Sequence, residues 1–112
     1  MEASLLRRTI AEMVGTALLV FFGAGSVVTA LQLGGGSLDY AGLGIISLAF
    51  GLVVALVVYT FGTTSGAHIN PAVTLALAAT GRFRWADVPA YVVAQLVGAF
   101  GGGVLIVGVV GT

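Results

Sequence analysis

The residues best equipped for chemistry lie together in one stretch, Ser65-Gly66-Ala67-His68-Ile69-Asn70-Pro71-Ala72-Val73-Thr74. It holds the single histidine of the chain and an Asn-Pro pair, and it follows the turn-forming, small polar run Gly62-Thr63-Thr64. Asn70 is a good helix N-cap, and Pro71 suits the first helical position, where its missing N–H costs nothing. A cap made through the Asn70 oxygen leaves its amide N–H groups free to donate to another oxygen. Irregular backbone before it offers the carbonyls of Gly66, Ala67 and His68 as acceptors. The second candidate is Glu12, a carboxylate about one helical turn beyond Arg8 at the start of a long apolar run. With no cysteine, and no second imidazole or carboxylate near His68, neither a metal site nor a catalytic pair can be assembled. No enzymatic activity, metal or cofactor is therefore expected.

The elements that must position these residues follow from composition. Of 112 residues, 59% are hydrophobic and 7% charged, and 18 are glycine. A soluble domain carries about 25% charged residues. Mean hydropathy is +1.17. There is too much apolar surface for one soluble core, and a bilayer is the solvent this composition fits. A net charge of zero gives no reason to expect nucleic acid as a partner.

The apolar runs between charges set the helices. Crossing a ~30 Å hydrocarbon layer takes about 20 helical residues. Glu12 to Asp39 and Asp87 to the end each hold one span, read as helices at about 10–32 and 86–110. The uncharged run Tyr40 to Gly81 is about twice as long as one span needs. It reads as a full helix at about 41–61, then irregular backbone and a short helix within 62–81, with Gly81 as the stop. The fold expected is an all-α membrane protein, a single domain over 1–112 with three transmembrane helices and one re-entrant half-helix. Arg7-Arg8 before an apolar run also has the form of a signal peptide, but the rest of the chain is equally apolar.

Arg7 and Arg8 place the N-terminus in the cytoplasm and Asp39 outside. If 62–81 dips to the midplane and returns, Arg82 and Arg84 join them on one side, which is the arrangement the positive-inside rule favours. Non-helical backbone at that depth must be buried in protein or line a water-filled cavity. The half-helix N-terminus carries about half a positive charge, felt strongly at low dielectric. It repels a cation or proton and leaves a neutral molecule unaffected. Carbonyl acceptors beside an amide donor are the equipment of a pore for small neutral polar solutes.

The ten residues Ser65–Thr74 resemble the first Asn-Pro-Ala signature of the major intrinsic protein family, the aquaporins and glycerol facilitators. Ala11-Glu12-Met13-Val14-Gly15-Thr16 is similar to that family's first-helix motif, and Gly81-Arg82-Phe83 and Ala94-Gln95-Leu96-Val97-Gly98 to its half-helix exit and third helix. The resemblance runs from Ile10 to Val110. It implies a fold of six spanning helices and two half-helices made of two inverted repeats, of which this chain supplies the first. A second Asn-Pro-Ala box, the constriction arginine and the other half of the pore wall belong to the repeat that this chain does not contain.

The resemblance implies that Gly66, Ala67, His68, Asn70, Pro71 and Ala72 line a pore, His68 through its carbonyl and possible ring edge. It implies a structural brace at Glu12, tying down buried N–H groups of this loop or of the one in the missing repeat. A proton relay through Glu12 would need more titratable groups than His68 alone provides. Gln95 reads as an interhelical hydrogen bond. Ser47, Gly51 and Ala55 form a small-residue stripe that permits close helix approach. Phe50 stands beside it; spacing alone leaves it packed, lipid-facing or directed into the bundle. The resemblance makes it the aromatic of a narrow filter, and a phenylalanine there tilts the choice toward water over glycerol. Trp85 reads as an interfacial anchor.

The function implied is a passive channel for water or small neutral solutes such as glycerol, in the plasma (inner) membrane, with a homotetramer when complete. The alternatives are a non-conducting assembly module that needs a second repeat, and half of a secondary transporter. The transporter would want coupling carboxylates at midplane depth, and Glu12 sits too near the interface.

Overall fold

Ser4 opens the first helix by accepting a hydrogen bond from the Arg7 N–H at 3.2 Å. The computed structural model describes residues 3–111. Helix α1 (Leu5–Leu18) runs without a break through a π-helical segment, Leu19–Ala24, into α2 (Gly25–Leu33). Together they form one apolar span of 29 residues. Asp39 caps α3 (Tyr40–Ser65), its Oδ1 accepting from the Gly42 N–H at 2.7 Å. Asn70 caps α4 (Pro71–Ala79), its Oδ1 accepting from the Ala72 N–H at 2.9 Å. A 3-10 turn at Trp85–Asp87 leads into α5 (Val88–Val110).

The fold is all-α and belongs to a membrane protein, with three helices among the described residues long and apolar enough to cross a bilayer. Helix α4 has nine residues and reaches roughly 14 Å at 1.5 Å per residue, too short to cross. The boundaries differ from the sequence reading in two places. The first span begins at Leu5, and α3 continues through Gly62–Ser65, which the turn-forming composition marked as irregular. The helical ladder needs no special residue there. It ends only where Gly66 adopts a left-handed φ of +86° and its N–H bonds the Gly62 carbonyl at 3.0 Å.

Helix α3 runs antiparallel to the first span, with Phe50 against Gly23 and Val57 against Gly15. Val53, Val57 and Ile69 make the small apolar core, covered by Leu18, Leu19, Phe61 and Ala67. Helix α5 runs parallel to the first span and packs backbone to backbone. A Cβ at Gly98 would collide with the Met13 carbonyl oxygen, and one at Gly102 would lie 2.7 Å from that of Ala17. The stripe Ser47-Gly51-Ala55 is not a packing seam within this chain. Ser47 and Ala55 are exposed, and a Cβ at Gly51 would meet nothing within 4 Å. The α3 face that meets the first span is the Phe50-Val53-Val57 face.

The guanidinium of Arg8 donates through both Nη atoms to Asp87 Oδ2 at 3.2 Å. It also lies 5.8 Å from the Tyr91 ring centroid. This pair holds the start of the first span beside the start of the third. The segment between α3 and α5 therefore enters and leaves on the same side, and all four arginines lie at that end.

Candidate functional site

The loop 66–70 between α3 and α4 is shaped by one carboxylate. Glu12 is fully buried and accepts four hydrogen bonds. Its Oε2 takes the Ser65 hydroxyl at 2.7 Å and the His68 N–H at 3.0 Å. Its Oε1 takes the Ile69 N–H and Gln95 Nε2, both at 2.8 Å. The Ser65 hydroxyl oxygen in turn accepts from the Ala67 N–H at 3.1 Å, and the Ser65 carbonyl accepts from the Tyr91 hydroxyl at 2.7 Å. Glu12 thus braces the loop of its own chain, the choice that the sequence leaves open.

These bonds decide where the carbonyls go. The peptide bonds are trans, so each N–H points opposite the carbonyl of the residue before it. Three successive N–H groups, of Ala67, His68 and Ile69, turn inward to Ser65 and Glu12. The carbonyls of Gly66, Ala67 and His68 therefore turn outward, and none accepts a hydrogen bond among the described residues. The backbone needed for this is strained. Ala67 and Ile69 hold φ values of +50° and +45°, rare for any side chain and rarer for a β-branched one. Strain of this kind persists only when the surroundings over-determine the conformation, as Glu12 does here.

His68 is buried, with Nδ1 2.9 Å from the Thr74 hydroxyl and its ring against those of Phe83 and Tyr91, centroids 4.9 and 5.0 Å away. Its ring thus helps support the loop, while its carbonyl is directed outward. Gln95 spends one amide hydrogen on Glu12 and the other on Thr74, at 2.9 Å. Its own oxygen is buried without a partner among the described residues. Turning the amide over would set that oxygen against the carboxylate, so the network fixes its orientation.

Asn70 is exposed, and its side-chain nitrogen has no partner among the described residues while its oxygen caps α4. Pro71 is half-buried and Ala72 exposed beside it. Phe50 lies apart from the loop. Its contact Gly23 is eight residues along the first span from Gly15, which touches Ile69, or roughly 12 Å. The ring packs on Gly23, and the residue is 39% exposed. At the arginine end a cavity of about 510 Å³ opens beside the loop, lined by Arg8, Thr64, Gly66, His68, Arg82 and Tyr91 among others.

Sequence reasoning did not single out Ser65, Thr74 and Tyr91 as members of the network, nor the Arg8–Asp87 pair. The signal was present for two of them. Tyr91 sits one helical turn before Gln95, and Thr74 four residues after Asn70, so each shares a face with a residue already selected.

The whole chain, residues 1–112, matches the family model described as major intrinsic protein. It is 50% identical over 90 residues to Aquaporin NIP1-2 of Oryza sativa subsp. japonica, covering 80% of this chain and 28% of that one. It is 45% identical over 97 residues to the probable glycerol uptake facilitator protein of Thermotoga maritima, covering 87% and 41%. The X-ray structure of the aquaglyceroporin from Plasmodium falciparum superposes with a TM-score of 0.81 at 31% identity, over 94% of this chain and 42% of that one. The chain thus spans less than half the length of each. With that family model matched over its whole length, the chain belongs to the major intrinsic protein family.

Proposed function

We propose that the chain is the first half of a passive channel for water and small neutral solutes such as glycerol. What carries this reading is the Glu12 brace, which leaves three carbonyls and the Asn70 amide facing the open side at the start of α4. A hydroxyl can exchange water for these groups one at a time, donating to a carbonyl and accepting from the amide. The positive end of α4 opposes a cation at the same place. Gly66, Ala67, His68, Asn70, Pro71 and Ala72 form one wall of the path in this reading, and Phe50 narrows it further along. The relatives named an aquaporin and a glycerol uptake facilitator support the solute class. Phenylalanine at position 50 favours water.

In this reading the protein resides in the plasma (inner) membrane, and the gathering of four arginines at one end favours an N-terminus in the cytoplasm. A second repeat supplies the opposite wall, and the complete channel is a homotetramer. The alternative, a module that does not conduct by itself, draws on the open side of the loop, which none of the described residues covers. Stopped-flow light scattering on proteoliposomes tests both readings. The chain joined to a second repeat should accelerate osmotic swelling over empty vesicles, and the chain alone should not. No acceleration in either form would overturn the channel reading.

A further inference from the structure

Gly23 and Phe50 meet more closely than a packing contact requires. A Cβ built on Gly23 would lie 2.6 Å from Phe50 Cε1 and 2.9 Å from both Cδ1 and Cζ. One edge of the ring therefore fills the space where a side chain would stand. Gly23 belongs to the π-helical segment Leu19–Ala24, and such segments often occur at functional sites within helices. Its carbonyl accepts from the Ser26 hydroxyl at 2.6 Å, which pins the backbone under the ring. Three residues along α3 toward the arginine end, Val53 is buried in the core that Leu18 and Leu19 help to cover. Phe50 is 39% exposed despite this contact.

We infer that Gly23 is a positioning residue for the Phe50 ring and thereby sets the width of the path at that level. The inference rests on the channel reading above for what lies on the exposed side of the ring, but not for the seat itself. A methyl group at position 23 must push the ring to an ordinary carbon–carbon separation of ~3.5–4.0 Å, a displacement of about 1 Å. The ring ends a side chain with two torsions, so it can move without displacing either backbone. The methyl group pushes it away from the first span, toward the space that its 39% exposure leaves open. Gly25 provides the contrast, since a Cβ there meets Ile106 at 3.4 Å in ordinary contact.

Two measurements test this on Gly23→Ala, with Gly25→Ala as control. The first is fluorine NMR of the full chain in lipid nanodiscs, labelled with 4-fluorophenylalanine, the Phe50 signal being assigned by Phe50→Leu. Gly23→Ala should shift that signal, and Gly25→Ala should leave it in place. An unmoved signal in Gly23→Ala, with the chain folded, would overturn the seat. The second is the ratio of glycerol to water flux in the conducting form. Gly23→Ala should lower the ratio severalfold, and adding Phe50→Leu should restore it. Equal loss of both fluxes, or no rescue, would overturn the control of width. Wild-type protein that conducts in no form would sink the channel reading instead, and the ring shift would still decide whether Gly23 seats Phe50.

Discussion

The Glu12 carboxylate and the Ile69 amide are 57 positions apart in sequence and 2.8 Å apart in space. That contact reverses the direction of a peptide plane. It turns the His68 carbonyl away from the protein and holds a β-branched residue at a left-handed φ. Together with the bonds from the Ala67 N–H to Ser65 and from the His68 N–H to Glu12, it leaves the N–H groups of residues 67–69 spent and the carbonyls of residues 66–68 free among the described residues.

Replacing Glu12 should damage the fold in a graded way. Glu12→Leu strands four donors, each costing ~1–3 kcal/mol when buried without a partner. Glu12→Gln keeps one oxygen that can accept and sets an amide N–H2 against the remaining donors. Thermal unfolding in detergent should rank wild type above Gln and Gln above Leu. Equal, small effects would show that the loop does not depend on this carboxylate.

Asn70→Asp separates capping from donation. A carboxylate caps α4 at least as well as the amide, so folding should survive. It also removes the unpartnered side-chain donors and offsets about half a unit of positive charge at the helix end. Osmotic swelling of the complete channel should slow, and planar-bilayer recordings should reveal a cation current absent from wild type. Unchanged swelling without current at neutral pH would remove α4 from the barrier to ions.

The one-sided return of the chain between α3 and α5 is accessible to labelling. Cysteine placed at Arg7, Arg82 or Arg84 should react with an impermeant maleimide from one side of the membrane, and at Asp39 from the other. Arg8 is a poor probe, because its side chain is 15% exposed and tied to Asp87. Reaction of position 82 from the Asp39 side would mean that the segment crosses.

The glycines divide into two groups with opposite tolerance. Gly98→Ala drives a methyl into the Met13 carbonyl and must part α1 from α5. A cost of about 1–3 kcal/mol, the usual range for overpacking, should follow in the same unfolding assay. Gly51→Ala meets nothing within 4 Å and should stay within about 0.5 kcal/mol of wild type. Similar losses at both positions would contradict the close α1–α5 seam.

Spans, half-helix and loop were legible in the sequence because each leaves a local mark: an apolar run between charges, an Asn-Pro cap, a cluster of turn formers. The start of the span at Leu5 was hidden by Arg7 and Arg8, which read as an interface although Arg8 lies within the helix and pairs with Asp87. Gly62–Ser65 was hidden by composition, since glycine and threonine suit a turn but also continue a helix that packing has already nucleated. The partners of Glu12 could not be read from spacing, because they come from two separate helices and a loop. The π-helical segment left no mark at all, for Leu19–Ala24 is as apolar as its neighbours.

The partners of Glu12 also fix an order of events during synthesis. Ser65, His68, Ile69 and Gln95 follow it by 53, 56, 57 and 83 residues. When the first span emerges from the ribosome, none of its glutamate's partners exists. Three come with the loop, and the last comes only with the third span. An unpaired carboxylate resists lipid, so release of the first span into the bilayer is costly until the loop is made and most favourable once α5 has followed. The brace that shapes the finished loop is thus the feature that makes early release of the first helix unfavourable.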